Sequence, residues 1–181
     1  MTPRCNRSAP GHRRDQRGFT LLELIVVLFI VIVLAALAAP SLREMNVRSI
    51  VKANTNDLVT ALNLARAEAV KRGSDVAVVA QGGDWNNGWA IQTVGVVETL
   101  VTHDAIQPDF RVMGAATGGG ANDRVVFTAT GALRLATGYD FNVCRPSYSP
   151  GEAESRRIIV SATGSVRSRR DTTSSPAGNC S

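Results

Sequence analysis

Glu23 stands alone as a carboxylate in the apolar run FTLLELIVVLFIVIVLAALAA at residues 19–39. An acidic side chain at the centre of a bilayer costs about 2.5–3.5 kcal/mol, and less near the interface. A carboxylate kept at such a cost calls for a cation at the same depth. The second group with chemical potential is basic. Arg156, Arg157, Arg167, Arg169 and Arg170 face only Asp171 in the window 156–171, which therefore carries +4. Such clustering suits phosphate, because each neutralised phosphate releases condensed counterions. No aromatic residue interleaves with these arginines, so base stacking is not a source of affinity. A solvated basic tail, or contact with an acidic neighbouring surface, accounts for the same residues. Catalysis finds little support. After residue 18 the chain has one histidine, His103 beside Asp104, with no metal-ligand cluster and no nucleophile elbow. His103-Asp104 reads as a turn between strands.

These residues need elements to hold them. A helix rising about 1.5 Å per residue crosses the hydrocarbon core in roughly 20 residues, which residues 19–39 supply. Pro40 is expected to bend or locally break the helix. Beyond it Val47, Ile50, Val51, Leu58, Leu62, Ala65 and Ala69 recur at the three-and-four spacing of an amphipathic helix. Lys71 and Arg72 suit its carboxyl end, and Gly73 stops it. Short β-prone runs then follow at 75–80, 88–93, 98–102, 124–129, 139–144 and 156–161. Trp85 and Trp89, around Asn86-Asn87-Gly88, are expected to close a hairpin and pack on the helix. The stretch GAATGGGAN at 114–122 reads as a flexible loop, since it lacks the Lys-Ser/Thr ending of a phosphate-binding loop. A weak repeat, VVFTATGALR at 125–134 and IIVSATGSVR at 158–167, gives strand, turn, strand twice. Arg134 and Arg167 then occupy equivalent positions as outward-facing strand residues.

The net charge of +5 is misleading as a sign of nucleic-acid binding. Arg4, Arg7, Arg13, Arg14 and Arg17 against Asp15 hold most of it, leaving 15 basic and 14 acidic residues beyond residue 18. Arginines beside an apolar run keep residues 1–18 cytoplasmic and send the rest outward. Three readings of the amino terminus stay open on these grounds: a secretory signal cut near Ala36-Leu37-Ala38, an uncut single-pass anchor, and a short processed leader. Sequencing the mature terminus separates them.

The junction RGFTLLE at 17–23 resembles the class III leader of type IV prepilins and type II secretion pseudopilins. The resemblance implies cleavage after Gly18 by a membrane-embedded prepilin peptidase, methylation of the new amine on Phe19, and pairing of Glu23 with the terminal amine of a neighbouring subunit. Gly18, with no Cβ, lets a protease approach the backbone closely. Cleavage would discard Cys5. Cys144 and Cys180 then form an even pair on the oxidising side. A disulfide between them would stabilise by roughly 3–4 kcal/mol in the chain-entropy model and pin the tail; two free thiols are the other reading.

ARAEAVKRGSDVAV at 65–78, DWNNGW at 84–89, the GALR turn, and IIVSATGSVR flanked by Cys144 and Cys180 are similar to the GspH/FimT family of minor pseudopilins and minor pilins. The similarity spans nearly all of the chain after residue 18. It implies an α+β, pilin-like fold in which a long N-terminal helix, transmembrane and then amphipathic, packs on antiparallel β-sheets. The organisation expected is a leader at 1–18, a transmembrane helix at 19–39, an amphipathic helix at 40–73 and a periplasmic β-rich domain at 74–181. The implied role is a filament subunit of the inner membrane and periplasm. Its partners would be the prepilin peptidase, the assembly platform and other pilins or pseudopilins, with no cofactor and no metal. Some FimT-type members bind incoming DNA through a C-terminal GRxR pattern. Here the first arginine of that pattern is replaced by Ser165, although Arg167, Arg169 and Arg170 follow.

Overall fold

The computed structural model describes residues 19–135, 137–146 and 155–170, without the side chains of residues 36–44. Among the described residues the one α-helix, α1 (Leu21–Arg72), is capped by Thr20, whose Oγ1 accepts the Glu23 N–H at 3.2 Å. Thr20 and Glu23 are therefore the first and last residues of a capping-box sequence, T-x-x-E. The chain divides into two compact units, Met1–Leu42 and Arg43–Ser181.

In the first unit, apolar side chains are exposed without a break at positions 24–34. Consecutive positions cover every side of a helix, so no single stripe faces a core. Among the described residues no helix is long and apolar enough to cross a membrane. The described side chains of the 19–39 run stop at residue 35. Pro40 lies within α1, shortly before the boundary between the units.

In the second unit, α1 turns one stripe inward. Val51, Leu58, Leu62, Ala65 and Ala69 are fully buried, and Val47 and Ile50 pack beside them. This is the spacing expected from the sequence. Asn54 and Thr55 lie in the same stripe; the Thr55 hydroxyl donates to its own helix at Val51 O, 2.6 Å away, so the buried group is satisfied. After Arg72 the helix closes with Ser74 N–H donating to Ala69 O at 3.2 Å.

Two antiparallel four-stranded sheets complete the unit. Sheet A, in the order β3-β2-β1-β5, comprises β1 (Val76–Ala80), β2 (Trp89–Thr93), β3 (Thr99–His103) and β5 (Arg124–Phe127). Sheet B, in the order β4-β6-β7-β8, comprises β4 (Arg111–Thr117), β6 (Gly138–Cys144), β7 (Ser155–Ser161) and β8 (Val166–Arg170). The core joins the helix stripe to Val76, Val78, Ile91 and Phe127 of sheet A and to Val112, Tyr139, Phe141, Ile158 and Val160 of sheet B.

Two sequence readings change. Residues 114–122 are not wholly a loop: positions 114–117 form the second half of β4, with Gly114 opposite Phe141 and Thr117 opposite Gly138. Gly-Ala-Ala lacks the branched and aromatic side chains that signal a strand, and here small size is what the packing needs, since the rings of Trp85 and Phe141 lie against Gly114. The tryptophans do flank the β1–β2 hairpin, but Trp85 packs across to sheet B. Its ring meets Phe141 edge-on at 4.9 Å, and its indole N–H donates to Asn122 O at 2.8 Å. Trp89 stacks on His103 at 4.1 Å.

Candidate processing, assembly and binding sites

Gly18 lies outside the described residues. Phe19 is largely exposed, immediately ahead of the Thr20 cap. Glu23, also exposed, sits in the first turn of α1, where the free N–H groups of the helix favour a negative charge. Its backbone serves the cap while its carboxylate faces outward. The sequence carries that cap as T-x-x-E at 20–23, inside a run whose dominant signal is apolar length.

The five arginines do not form one cluster. Arg157 is withdrawn from the surface: its Nε donates to both carboxylate oxygens of Asp140 at 2.8 Å, and its Nη2 adds a further contact to the same carboxylate. The Asp140 side chain is 3% exposed and that of Arg157 15%. Arg156 is half-buried on the opposite face, across from Arg170, and its Nε is buried without a hydrogen-bond partner. Only Arg167 and Arg169 are exposed together on one face, opposite Ile159 and Arg157 respectively.

The repeat noticed in the sequence is a pair of touching turns. Gly131 N–H donates to Thr128 O at 2.7 Å in the first, and Gly164 N–H to Ser161 O at 2.8 Å in the second. A hydroxyl pair braces each: Thr128 with Thr130 and Ser161 with Thr163, both at 2.9 Å. Leu133 N–H donates across to Ala162 O at 2.9 Å. Gly164 has φ +78, and a Cβ there would lie 1.9 Å from Gly131 O, so only glycine fits. Arg66 of α1 joins the two, its guanidinium donating to Gly131 O at 2.9 Å and to Thr163 O at 3.3 Å. One helix residue thus ties sheet A to sheet B, a role that its place in ARAEAVKR does not announce. The equivalent arginines differ in fate: Arg134 meets Asp75 at 3.0 Å, whereas Arg167 is exposed on an edge strand. Ser165, at the position of the altered pattern, is half-buried, and its N–H donates to Ser161 Oγ at 3.1 Å.

Cys144 is fully buried at the end of β6 and is disulfide-bonded. Cys180, its expected partner, lies outside the described residues. His103 does not begin a simple turn; it ends β3, its ring stacked on Trp89 and its Nε2 3.6 Å from Asp57 of α1. Burial pushes the Tyr139 phenol well above its ordinary range, so it stays a neutral donor, hydrogen-bonded to Asn122 O. Among the described residues no cluster of histidine, cysteine or carboxylate side chains could hold a metal ion.

A long helix entered through a capped, apolar first turn and packed by its second half on two antiparallel sheets defines a pilin-like subunit. The prokaryotic N-terminal methylation motif matches residues 13–39. The model of the type II transport protein GspH matches residues 54–164, more than half of the chain, and the protein belongs to the GspH family. Among solved structures, the type IV minor pilin FimU of Pseudomonas aeruginosa is similar, with a TM-score of 0.58 at 22% identity over 72% of this chain and 96% of its own. The minor pseudopilin EpsH of the Vibrio cholerae type II secretion system gives 0.52 at 13% identity over 71% and 99%. At such identities the likeness is one of fold, and it is the α+β pilin-like fold that the sequence implied. A comparison with curated protein sequences finds no match.

Proposed function

We propose that the protein is a minor subunit of a type II secretion pseudopilus or type IV pilus. The prepilin peptidase cuts after Gly18 and methylates Phe19, residues 19–39 hold the subunit in the inner membrane, and the domain beyond faces the periplasm. The observation that carries this reading is the amino end of α1: the methylation motif leads into a capped helix with Glu23 in its first turn and apolar side chains on every side. Such a helix needs lipid, or other helices like it, around it. Glu23 would pair with the terminal amine of the adjacent subunit during assembly, Pro40 would be the point of bending, and a Cys144–Cys180 disulfide would hold the tail. Its partners are the peptidase, the assembly platform and other pilins or pseudopilins. Glu23→Val should leave insertion and cleavage intact and lower incorporation into filaments; full incorporation would sink the pairing. Gly18→Val should leave a precursor of unreduced size, and a mature-sized product would refute the cleavage site.

A second reading, DNA uptake by a FimT-like minor pilin, rests on Arg167 and Arg169 being exposed on one face of β8. Duplex binding would fall steeply with salt. Replacing Arg167, Arg169 and Arg170 by alanine should abolish it; undiminished binding by that variant would remove β8 as the site.

A further inference from the structure

We propose that the globular unit pairs edge to edge with a second copy, β3 of one molecule against β8 of the next. The proposal takes its setting from the filament-subunit reading, but its chemistry comes from the two edges themselves.

Sheet A ends at β3 and sheet B at β8, and among the described strands neither has a neighbour on its outer side. An uncovered edge offers unpaired N–H and C=O groups to any extended chain, and proteins commonly block such edges with charge. β8 is blocked in that way, for three of its five residues are arginine and those three are exposed. β3, Thr-Leu-Val-Thr-His, contains no lysine, arginine or carboxylate. Instead it presents Val101, 47% exposed, and the hairpin before it presents Val96 and Val97 at 88% and 70%.

That hairpin tip is built rather than loose. Thr93 Oγ1 donates to Val96 O at 2.5 Å and accepts the Glu98 N–H at 2.9 Å, while Thr93 N–H donates to Glu98 O at 3.0 Å. Those groups are paired within the tip, while Val96 and Val97 face water. Two contacts hold α1 alongside β3: His103 Nε2 lies 3.6 Å from Asp57 at one end, and Arg72 pairs with Glu98 at 3.0 Å at the other. Between them, Leu64 on the helix and Val101 on the strand are both exposed. The result is an apolar strip rimmed by Asp57, Glu68, Glu98 and Asp104, with Lys71 and Arg72 paired to Glu68 and Arg72 also to Glu98.

The two edges complement each other. β8 against β8 would set arginines against arginines, which is destabilising, whereas β3 has neither lysine nor arginine. In the antiparallel register that centres both strands, Val101 faces Ser168, and Glu98 and Asp104 lie diagonal to Arg169 and Arg167. Diagonal neighbours about 7–8 Å apart are within reach of long side chains. Backbone bonds would supply the affinity and these side chains the register. Because the two surfaces differ, the contact is heterologous, the kind that propagates into open assemblies.

The test uses the full-length chain in detergent micelles, carrying Cys5→Ser, with Val101→Cys and Ser168→Cys placed in separately tagged copies and oxidised together. We expect a crosslink joining the two tags, with neither copy linking to itself. Arg169→Glu should cut the yield about tenfold, the effect of losing 1.4 kcal/mol, and Glu98→Arg on the partner copy should restore it, which a misfolded variant could not do. Absence of the mixed crosslink overturns the proposal. So does a self-link of either copy, or a mixed link formed only when duplex DNA is added, which would assign β8 to DNA. Cleavage at Gly18 and incorporation into filaments are scored separately. Normal incorporation without the crosslink refutes the pairing alone, and a crosslink without incorporation refutes the filament reading alone.

Discussion

At the β8 edge, exposed arginines sit on a strand whose neighbour, β7, is anchored from beneath by the buried Arg157–Asp140 pair, while Gly164 and Arg66 lock the turn between the two strands. At the β3 edge the charges and the apolar groups trade places: valines face water, and the strand is tied to α1 by the His103–Asp57 contact and the exposed Arg72–Glu98 pair. The two ends of the unit therefore have different weak points. β8 owes its position to groups buried behind it, and β3 to close backbone packing reinforced by surface charge.

Breaking the buried side should cost most. Arg157→Ala removes the guanidinium that donates to both oxygens of Asp140 at a site 3% exposed, and losing one partner of a buried pair costs about 3–5 kcal/mol. Denaturant unfolding should show that loss with little relief from salt, and a drop of under 1 kcal/mol would mean that water reaches Asp140. Next come the two glycines that bring backbone close to each edge. Gly164→Ala drives a Cβ to 1.9 Å from Gly131 O, and Gly88→Ala, at φ +92, to 2.2 Å from His103 O. Strain and overpacking together predict about 2–4 kcal/mol for either. Similar losses would show that both edges rest on a backbone approach, whatever their surface charge. Arg66→Ala removes two hydrogen bonds to the paired turns, at about 0.5–1.5 kcal/mol each. Native-state hydrogen exchange should quicken at Leu133 and Ser161 together if the turns act as one unit; exchange rising in only one turn would argue against the clamp.

The sequence announced these regions unequally. Periodicity revealed the α1 stripe because burial follows a 3.6-residue repeat, and six strand runs were visible in their branched residues. β4 was hidden because Gly114 and its alanines are small for the sake of the rings above them, so the packing that makes the strand also erases its signal. The arginines were visible as a count but not as a site. Strand alternation puts Arg157 on one face and Arg156 on the other, and nothing near them in sequence predicts that Asp140, two strand positions from Asn142 on β6, captures the first. The paired turns were legible as a repeat, yet their contact depends on Arg66, far away in the chain. Long-range partners decide which charges remain available, and local pattern cannot supply them.

The smallest predicted effect sharpens the contrast most directly. Glu68 is half-buried beside its partners, and hydrogen bonds from Arg72 first, and Lys71 second, hold its carboxyl below the usual glutamate range. A depressed carboxyl contributes stability that is present above the unfolded value and is lost as pH falls through the folded one. Arg72→Ala removes the larger of those causes and also the link to Glu98. It should therefore lower Tm only slightly at neutral pH, less than any variant above, and flatten the acid limb of the Tm–pH curve. In 1 M salt, where the Debye length is about 3 Å, the difference from the unsubstituted protein should vanish, while the Arg157→Ala loss persists. If Arg72→Ala instead costs as much as Gly88→Ala, or survives high salt, then β3 is held by its surface charges after all.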